Sequence, residues 1–306
     1  MDARQLEYFL AVVEHDGFGR AAQALHLAQP SLSQAIAALE RDLGVQLFHR
    51  IGRGVVLSAA GEELIVPARN VLRDLRAART AVESAKGAKR GRVELVTMPS
   101  PGIEPLSTLI RLFAGRHPGM TVTAEAAFTA DEVVQRVRHG AAEVGLAGTA
   151  EPCQPPGLEV LPLEVQEFVV VGGGESGFPD VDPVPLDALR GASLIVSPAG
   201  SLMRQIADDI LAVAGSVRIV AEAAHRTSIL PLVTQGTGLA VVPEAWAPLA
   251  RCVGARVARI SHPARLHVAL VTRQAPLTPA ARAFVTLARA YRPACYVSSG
   301  QPQPDS

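Results

Sequence analysis

The chain lacks the long apolar runs and the cysteine content that are typical of membrane and secreted proteins. No apolar stretch reaches the roughly 18 residues that a membrane span needs. Residues 1–5 are not a basic segment leading into an apolar one, so we expect no signal peptide. The three cysteines, Cys153, Cys252 and Cys295, are isolated and odd in number. We therefore expect no disulfide framework and a cytoplasmic location.

The residue patterns of metal sites and of common enzymes are also missing. The eight histidines are scattered, with no cluster of His, Cys and carboxylates at metal-ligand spacing. The glycine run at 172–174 is not followed by Gly-Lys-Ser/Thr, so it is not a phosphate loop. No Gly-x-Ser-x-Gly motif or Ser/His/Asp arrangement indicates a nucleophile. We predict that the chain is not an enzyme and needs neither a cofactor nor a metal.

An excess of positive charge is absent as well. The 29 basic and 29 acidic residues cancel, and residues 1–58 hold five arginines against six acidic residues. Contact with nucleic acid must therefore come from a local patch. With 306 residues, of which 48% are hydrophobic, the chain is long enough for two or three domains with sizeable cores.

The first sixty residues have the periodicity of three helices. Ser31, Ser33 and Gln34 point away from the apolar stripe of the third helix, and Gln29 lies at its exposed start. Two helices joined by a tight turn, the second with a polar outer face, form an arrangement that places a helix in the DNA major groove. The apolar stripes are Leu6, Phe9, Leu10 and Val13, then Ala21, Ala22 and Leu25, then Leu32, Ile36, Leu39 and Leu43.

Residues 1–58 resemble the winged helix-turn-helix of the LysR-type transcriptional regulators. The layout of that family extends over roughly residues 1–292. The resemblance implies a DNA-binding regulator whose C-terminal half senses a small-molecule effector. The matching stretches are LEYF at 6–9, GFGRAA at 17–22, LHL at 25–27, QPSLS at 29–33, LE at 39–40, LGVQLFHR at 43–50 and LSAAG at 57–61.

The resemblance also implies partners and DNA-contacting residues. The expected partners are promoter DNA, the effector, further copies of the chain as a dimer of dimers, and RNA polymerase, with no membrane. Arg50 and Arg53 follow the third helix, and the alternative for each is a solvated surface charge. The predicted DNA-binding residues are Arg20, Gln29, Pro30, Ser31, Ser33, Gln34, Arg50 and Arg53.

Three positions depart from the family pattern. Gly19 and Ala28 stand where Ser or Thr is usual, and both look like helix N-caps; Ala costs about 0.5–2 kcal/mol there relative to Ser. Gln34 stands where Arg is common. Since Arg prefers guanine and Gln prefers adenine, we predict a different base preference and a shallower salt dependence. The alternative is that Gln34 is only a solvated polar residue.

The next segment has the pattern of a long helix that pairs with a second copy. Ser58 can cap it, and Pro67 should kink it or remove one backbone bond. A narrow apolar seam with arginines outside it favours a dimerisation helix over packing on its own domain. We expect residues 86–91 to form a flexible basic hinge. The seam residues are Leu64, Ala68, Val71, Leu75, Ala78 and Val82.

After the hinge the pattern alternates between strands and helices. This alternation predicts parallel sheets with right-handed crossovers in two α/β units, an arrangement similar to periplasmic binding proteins. The expected strands are 92–97, 120–126, 143–147, 167–171, 193–196, 217–221, 238–242 and 266–272, and the expected helices are 104–116, 131–139, 201–214, 227–235 and 278–291.

The predicted organisation has four parts. The winged helix-turn-helix takes residues 1–58, and the linker helix and hinge take residues 59–90. An effector domain follows at 91–292, and the Ser-, Pro- and Gln-rich tail at 293–306 is expected to be disordered. Within the effector domain, one subdomain comprises about 91–165 and 268–292, and the other about 166–267.

Loops beyond the carboxyl ends of the strands are the expected effector site, because ligands of open α/β sheets bind there, against helix N-termini. Hydroxyl groups in these loops suit a carboxylate-like effector, although each is also a plain helix cap in the alternative interpretation. His225 and Arg226 either supply positive charge or lie on the surface. The predicted effector-binding residues are Thr97, Ser100, Phe128, Thr129, Ser197, Pro198, Ser201, Thr227 and Trp246.

Other functions fit the sequence less well. A solute-binding protein is disfavoured by the wing-like segment 48–50, and an enzyme by the missing catalytic constellation. A redox pair of Cys153 and Cys252 is an alternative that nothing in the local sequence supports. For Trp246, the alternative to a place in the pocket wall is a place in the core or in a hinge.

Overall fold

The computed structural model describes residues 1–51, 54–85, 91–174 and 177–293. Residues 86–90 of the predicted hinge and residues 294–306 of the predicted tail lie outside this part of the chain. Among the described residues, no helix has both the length and the apolar character to cross a membrane.

The N-terminal part is a three-helix unit followed by a β-hairpin and a long helix. Its core is built from the predicted apolar stripes, with Phe9, Leu32 and Leu39 fully buried. Asp2 begins the first helix by accepting a 2.9 Å hydrogen bond from the Gln5 backbone N–H. The elements are α1 (Ala3–Glu14), α2 (Phe18–Ala24), α3 (Gln29–Leu43), β1 (Phe48–Ile51), β2 (Gly54–Leu57) and α4 (Ala59–Ala85).

The prediction that Gly19 is the N-cap of α2 is wrong, because the N-cap is Gly17. Asp16 has φ of 48° and Gly17 has φ of 148°, so the chain reverses before Phe18 and Gly19 lies inside the helix. Ala28 is the N-cap of α3, as predicted, and it offers no side-chain hydrogen bond. The first backbone N–H groups of α3 therefore keep no side-chain partner at the cap.

The C-terminal part consists of two five-stranded sheets covered by helices. The first sheet has the order β4-β3-β5-β12-β6 and the second the order β11-β7-β10-β8-β9. The strands are β3 (Gly91–Thr97), β4 (Met120–Ala126), β5 (Val144–Thr149), β6 (Leu158–Gln166), β7 (Phe168–Gly172), β8 (Ser193–Val196), β9 (Arg218–Glu222), β10 (Leu239–Pro243), β11 (Arg256–Arg259) and β12 (Leu266–Arg273). The helices are α5 (Pro99–Ile103), α6 (Leu106–Arg116), α7 (Ala130–Arg138), α8 (Leu202–Ala214), α9 (Ile229–Thr234), α10 (Ala247–Cys252) and α11 (Pro279–Arg289).

The prediction of parallel sheets is correct for three strands of each sheet and wrong for the others. β3 pairs in parallel with β4 and β5, and β8 with β9 and β10. β12 runs antiparallel to β5 and β6, and β7 runs antiparallel to β10 and β11. Both sheets are mixed because the chain passes directly between them, from Gln166 to Phe168 and again over residues 260–266.

The sequence pattern did not predict two of the strands, and it placed the start of one helix too early. β6 contains Pro162, which reads as a strand break, and β11 is only four residues long. The expected helix at 104–116 begins later, at Leu106, because Glu104 precedes a proline and adopts an extended conformation, and the short α5 before it was not predicted.

The last helix returns to the first sheet. The buried Glu143 carboxylate accepts hydrogen bonds from the Thr278 backbone N–H at 3.0 Å and from its hydroxyl at 2.7 Å, at the start of α11. The Phe284 ring packs on the Phe113 ring of α6, with 5.4 Å between the two ring centroids. These contacts hold the two ends of the C-terminal part in one layer.

Candidate functional site

The first candidate site is the outer face of α3. Its buried side carries Leu32, Ile36 and Leu39, which attach the helix to the core. Most of the predicted DNA-binding residues of α3 lie on the opposite side. Gln29, Pro30, Ser31 and Gln34 are exposed, and Ser33 is half-buried. The helix therefore presents short uncharged hydrogen-bonding groups to the solvent from its first two turns.

The predicted arginines are placed differently from these polar residues. The Arg20 guanidinium donates to the backbone carbonyls of His15 and Asp16, so it closes the end of α1. Arg50 lies in β1, but its side chain is outside the described part of the structure, and so is Arg53. Their predicted contact with phosphates stays a prediction.

Sequence reasoning missed the side chain that fixes the wing to α3. One Glu40 carboxylate oxygen accepts hydrogen bonds from the backbone N–H groups of Leu47, at 2.8 Å, and Phe48, at 3.2 Å. Ser58 then joins the wing to α4, as its predicted capping role requires. Its hydroxyl oxygen accepts from the Gly61 N–H at 3.0 Å and donates to the Gln46 carbonyl at 2.6 Å. The hairpin is thus attached at both ends.

The predicted dimerisation seam of α4 divides into two parts. Leu64 and Ala68 pack on the N-terminal core, so they stabilise their own domain. Val71 and Leu75 are exposed by 43% and 42%, and Ala78 is exposed too. The side chain of Val82 lies outside the described residues. The C-terminal half of the helix therefore carries the apolar stripe that its own chain leaves uncovered.

The second candidate site is a cleft of about 220 Å³ between the two sheets. Thr129 and Ser201 lie at the N-caps of α7 and α8, where their hydroxyl oxygens accept from backbone N–H groups at 3.1 and 3.2 Å. Both of the predicted alternatives, cap and cleft residue, therefore hold at these positions. The predicted effector-binding residues that line the cleft are Ser100, Phe128, Thr129 and Ser201.

The other five predicted residues do not line this cleft. The Thr97 hydroxyl donates to the Met98 carbonyl, and Ser197 is buried. Trp246 lies in the core with 3% exposure, which is the alternative that the sequence left open. Pro198 is half-buried, and Thr227 is exposed to solvent. The residues outside the lining are Thr97, Ser197, Pro198, Thr227 and Trp246.

Arg226 is the charged residue of the cleft, and the sequence left its location open. Its Nη1 donates to the Ser100 hydroxyl at 2.7 Å, so the second α/β unit contacts the first. The same nitrogen approaches the Met203 sulfur. Burial lowers the pKa of the Arg226 guanidinium below its ordinary value. Within the described part of the chain it has no ion-pair partner, so the cleft holds an uncompensated positive charge.

An ion pair and a hydrogen bond connect the segments in which the chain passes from one sheet to the other. Arg265 pairs with Glu167 at 2.7 Å, and a Glu244 carboxylate oxygen accepts from the Glu167 backbone N–H at 3.0 Å. Burial raises the pKa of the Glu244 carboxyl, and the hydrogen bond from the Glu167 backbone N–H partly offsets this rise. These groups lie on or next to the segments that join the two sheets, so they link those segments to each other.

Cys153, in the described part of the chain, shows no activating environment. Burial is the main cause that raises the pKa of the Cys153 thiol, and the charge of Asp131 adds to it. A raised pKa lowers the fraction of thiolate, the reactive form. Cys252 is exposed on α10. In the described residues no three His, Cys, Asp or Glu side chains come together as a metal site.

Two family models match the two parts of the chain. Residues 3–62 match the bacterial regulatory helix-turn-helix protein, lysR family, and residues 86–293 match the LysR substrate binding domain. The chain belongs to the LysR family of transcriptional regulators. Like its relatives in this family, it is a DNA-binding regulator with a substrate-binding effector domain.

Several LysR-type relatives are similar over most of their length. The regulator TfdS of Cupriavidus pinatubonensis is 30% identical, and the match covers 94% of this chain and 98% of TfdS. IlvR of Caulobacter vibrioides is 31% identical over 94% of this chain and 97% of its own. A probable hydrogen peroxide-inducible genes activator of Streptomyces viridosporus is 34% identical, over 78% of this chain and 77% of its own.

Solved LysR-type structures share the whole architecture. Full-length CbnR in complex with its target DNA has a TM-score of 0.66 and 26% identity, covering 95% of this chain and 99% of that one. A full-length OxyR variant from Pseudomonas aeruginosa has a TM-score of 0.69 at 23% identity, covering 99% of each, and shows the fold. The winged helix-turn-helix, long helix and two α/β units therefore form the full layout of the family.

Proposed function

We propose that this regulator responds to a small anionic effector that binds between its two sheets. The observation that carries the proposal is Arg226, a guanidinium in the cleft with no carboxylate partner among the described residues. A charge removed from water is normally paired, so the cleft suits a ligand that brings a carboxylate. Ser100, Thr129 and Ser201 add hydroxyl groups around it, and Phe128 adds an apolar surface.

The proposed mechanism is linkage between cleft closure and DNA binding. Ser100 and Arg226 belong to different α/β units, so an anion that contacts both favours the closed arrangement. Closure then shifts the relative placement of the DNA-binding domains in an oligomer, for which we propose a dimer of dimers, and so changes DNA bending. Contact of the bound oligomer with RNA polymerase is a further part of this proposal.

The exposed stripe of α4 supports the proposed pairing. Val71, Leu75 and Ala78 lie on one helix and remain uncovered in a single chain. A second copy of the helix would bury them and bring two copies of α3 to one operator. On this view the protein recognises an inverted repeat, read by the exposed polar face of α3.

An Arg226→Gln variant should lose its response to acidic effectors. Purified full-length protein is titrated with a panel of small mono- and dicarboxylic acids, each beside its uncharged amide, and the melting temperature is followed. We expect at least one acid to raise the melting temperature of the wild type and its amide to leave that temperature unchanged. The melting temperature of the variant should not respond to the acid or to the amide. The proposal fails if amides stabilise equally well or if the variant keeps the response.

A Gln34→Arg variant should bind DNA with a steeper salt dependence than the wild type. Each added phosphate contact changes the slope of log K against log salt by about 0.9, and Arg at a base edge selects guanine instead of adenine. Operators are first obtained by sequencing the genomic fragments that the wild type retains. Gln235→Arg, at an exposed position that follows α9 in the C-terminal part, adds the same charge outside the DNA-binding part and should leave base preference unchanged. Equal slopes in Gln34→Arg and wild type would contradict this prediction.

A further inference from the structure

Two guanidinium groups face each other where α4 crosses the first sheet. Arg73 of α4 donates through Nη2 to the Asn70 carbonyl oxygen Oδ1 at 2.9 Å, and Arg273 at the end of β12 donates to the same oxygen. Arg73 is only 5% exposed. One neutral acceptor is therefore shared between two cations that come from different domains.

The donors around Asn70 exceed the acceptors. Nε and Nη1 of Arg73 and Nε of Arg273 are buried, and none of them has a hydrogen-bond partner within the part of the chain that the structure describes. The largely exposed Asp74 carboxylate forms a long ion pair with Arg73, 3.9 Å from its Nε. Leaving buried charged donors unpaired is costly, and buried charges are normally matched by an opposite charge.

Neighbouring arginines differ from this pair. The half-buried Arg69 pairs with Glu14, and the exposed Arg76 pairs with Glu94 at 3.0 Å. These two arginines line an open groove of about 820 Å³ between the N-terminal part and the first α/β unit. Arg73 and Arg273 differ in that, among the described residues, neither donates a hydrogen bond to a carboxylate, and Gly140 beside them borders that groove.

Gly140 leaves room at the same point. It follows α7 with φ of 68°, and it also lines the groove. A Cβ atom there would lie 3.1 Å from Asn70 Oδ1, 3.2 Å from Arg273 Nη1 and 3.4 Å from Arg73 Nη1. A side chain at this position would therefore crowd Asn70 and both guanidinium groups where Gly140 borders the groove.

We infer that Arg73 and Arg273 form a second ligand site, distinct from the cleft, for a small oxyanion such as phosphate. An oxyanion entering from the groove accepts hydrogen bonds from both guanidinium forks and neutralises their repulsion. Because Arg73 lies on the linker helix and Arg273 on the effector domain, binding fastens the two together. The site acts independently of the anionic effector proposed for the cleft.

The test is calorimetric titration of the full-length protein with inorganic phosphate, in which chloride keeps the ionic strength constant. The melting temperature of the protein is measured in the same series of solutions. We expect saturable phosphate binding that raises the melting temperature of the wild type. Arg73→Gln and Arg273→Gln should each weaken the affinity by about tenfold to a hundredfold, as expected for loss of charge-assisted hydrogen bonds. Arg273→Lys, which keeps the charge but loses the fork, should also weaken it and covers the case in which either Gln variant fails to fold.

Controls separate this site from other anion sites. Arg76→Gln removes a paired arginine of the same helix and should leave phosphate affinity unchanged. Sulfate and acetate arms show whether the site prefers tetrahedral or planar oxyanions. The inference is overturned if phosphate has no effect beyond chloride, or if binding survives in the Arg73 and Arg273 variants. Loss of binding in Arg226→Gln alone would assign phosphate to the cleft and overturn it too.

Discussion

Replacing Gly61 by alanine is expected to destabilise the N-terminal domain by about 1–3 kcal/mol and to weaken DNA binding. Gly61 lies in the first turn of α4, where a Cβ would be 2.2 Å from the Leu47 carbonyl oxygen and 2.7 Å from Leu57 Cδ2. The nearer contact is backbone, which cannot rotate away. The linker helix α4 must then move away from the wing. This movement disturbs the Ser58 hydrogen bonds that join the wing to α4.

Chemical unfolding and operator binding measure this effect together. Gly115→Ala is the matched control, because Gly115 is an exposed helical position in α6 with nothing within 4 Å of the added carbon. That change should be neutral or stabilising by up to about 1 kcal/mol, as alanine favours helices. If the Gly61→Ala variant were as stable as the wild type, α4 and the wing would have to be packed less closely than described.

Truncation of Phe284 to alanine should cost about 3–5 kcal/mol, the range for a fully buried aromatic residue. Phe284 is 0% exposed and its ring lies 5.4 Å from that of Phe113. The change leaves a cavity between α6 and α11, where the chain returns to its first sheet. Urea unfolding followed by circular dichroism gives the difference in unfolding free energy.

Phe128→Ala makes the same chemical change at the mouth of the cleft, where the ring is 61% exposed. It should stay within about 0.5 kcal/mol of the wild type, as is usual for surface positions. Equal losses in the two variants would contradict the packing of α11 on α6. The pair therefore separates the loss of buried contacts from the loss of an aromatic ring.

Local patterns predicted the helices of the DNA-binding part well because their apolar spacing directly marks the buried face. The stripe Leu32, Ile36 and Leu39 is buried as predicted, and Ala28 is the uncapped start of α3. The N-cap of α2 was placed two residues late, since a cap depends on where the backbone reverses, here at Asp16 and Gly17. Strand direction failed for β7 and β12, because pairing is decided between segments that are distant in sequence.

The sequence by itself determined the class of this protein, a winged helix-turn-helix joined through a long helix to two α/β units. It also located the cap hydroxyls of the cleft, since Thr129 and Ser201 belong to local strand-to-helix turns. Only the tertiary structure decided which charges face one another. Arg226 meets Ser100 across 126 residues, and Arg273 meets Asn70 across 203. Such meetings follow from how the sheets and the linker helix pack, and no local spacing encodes them.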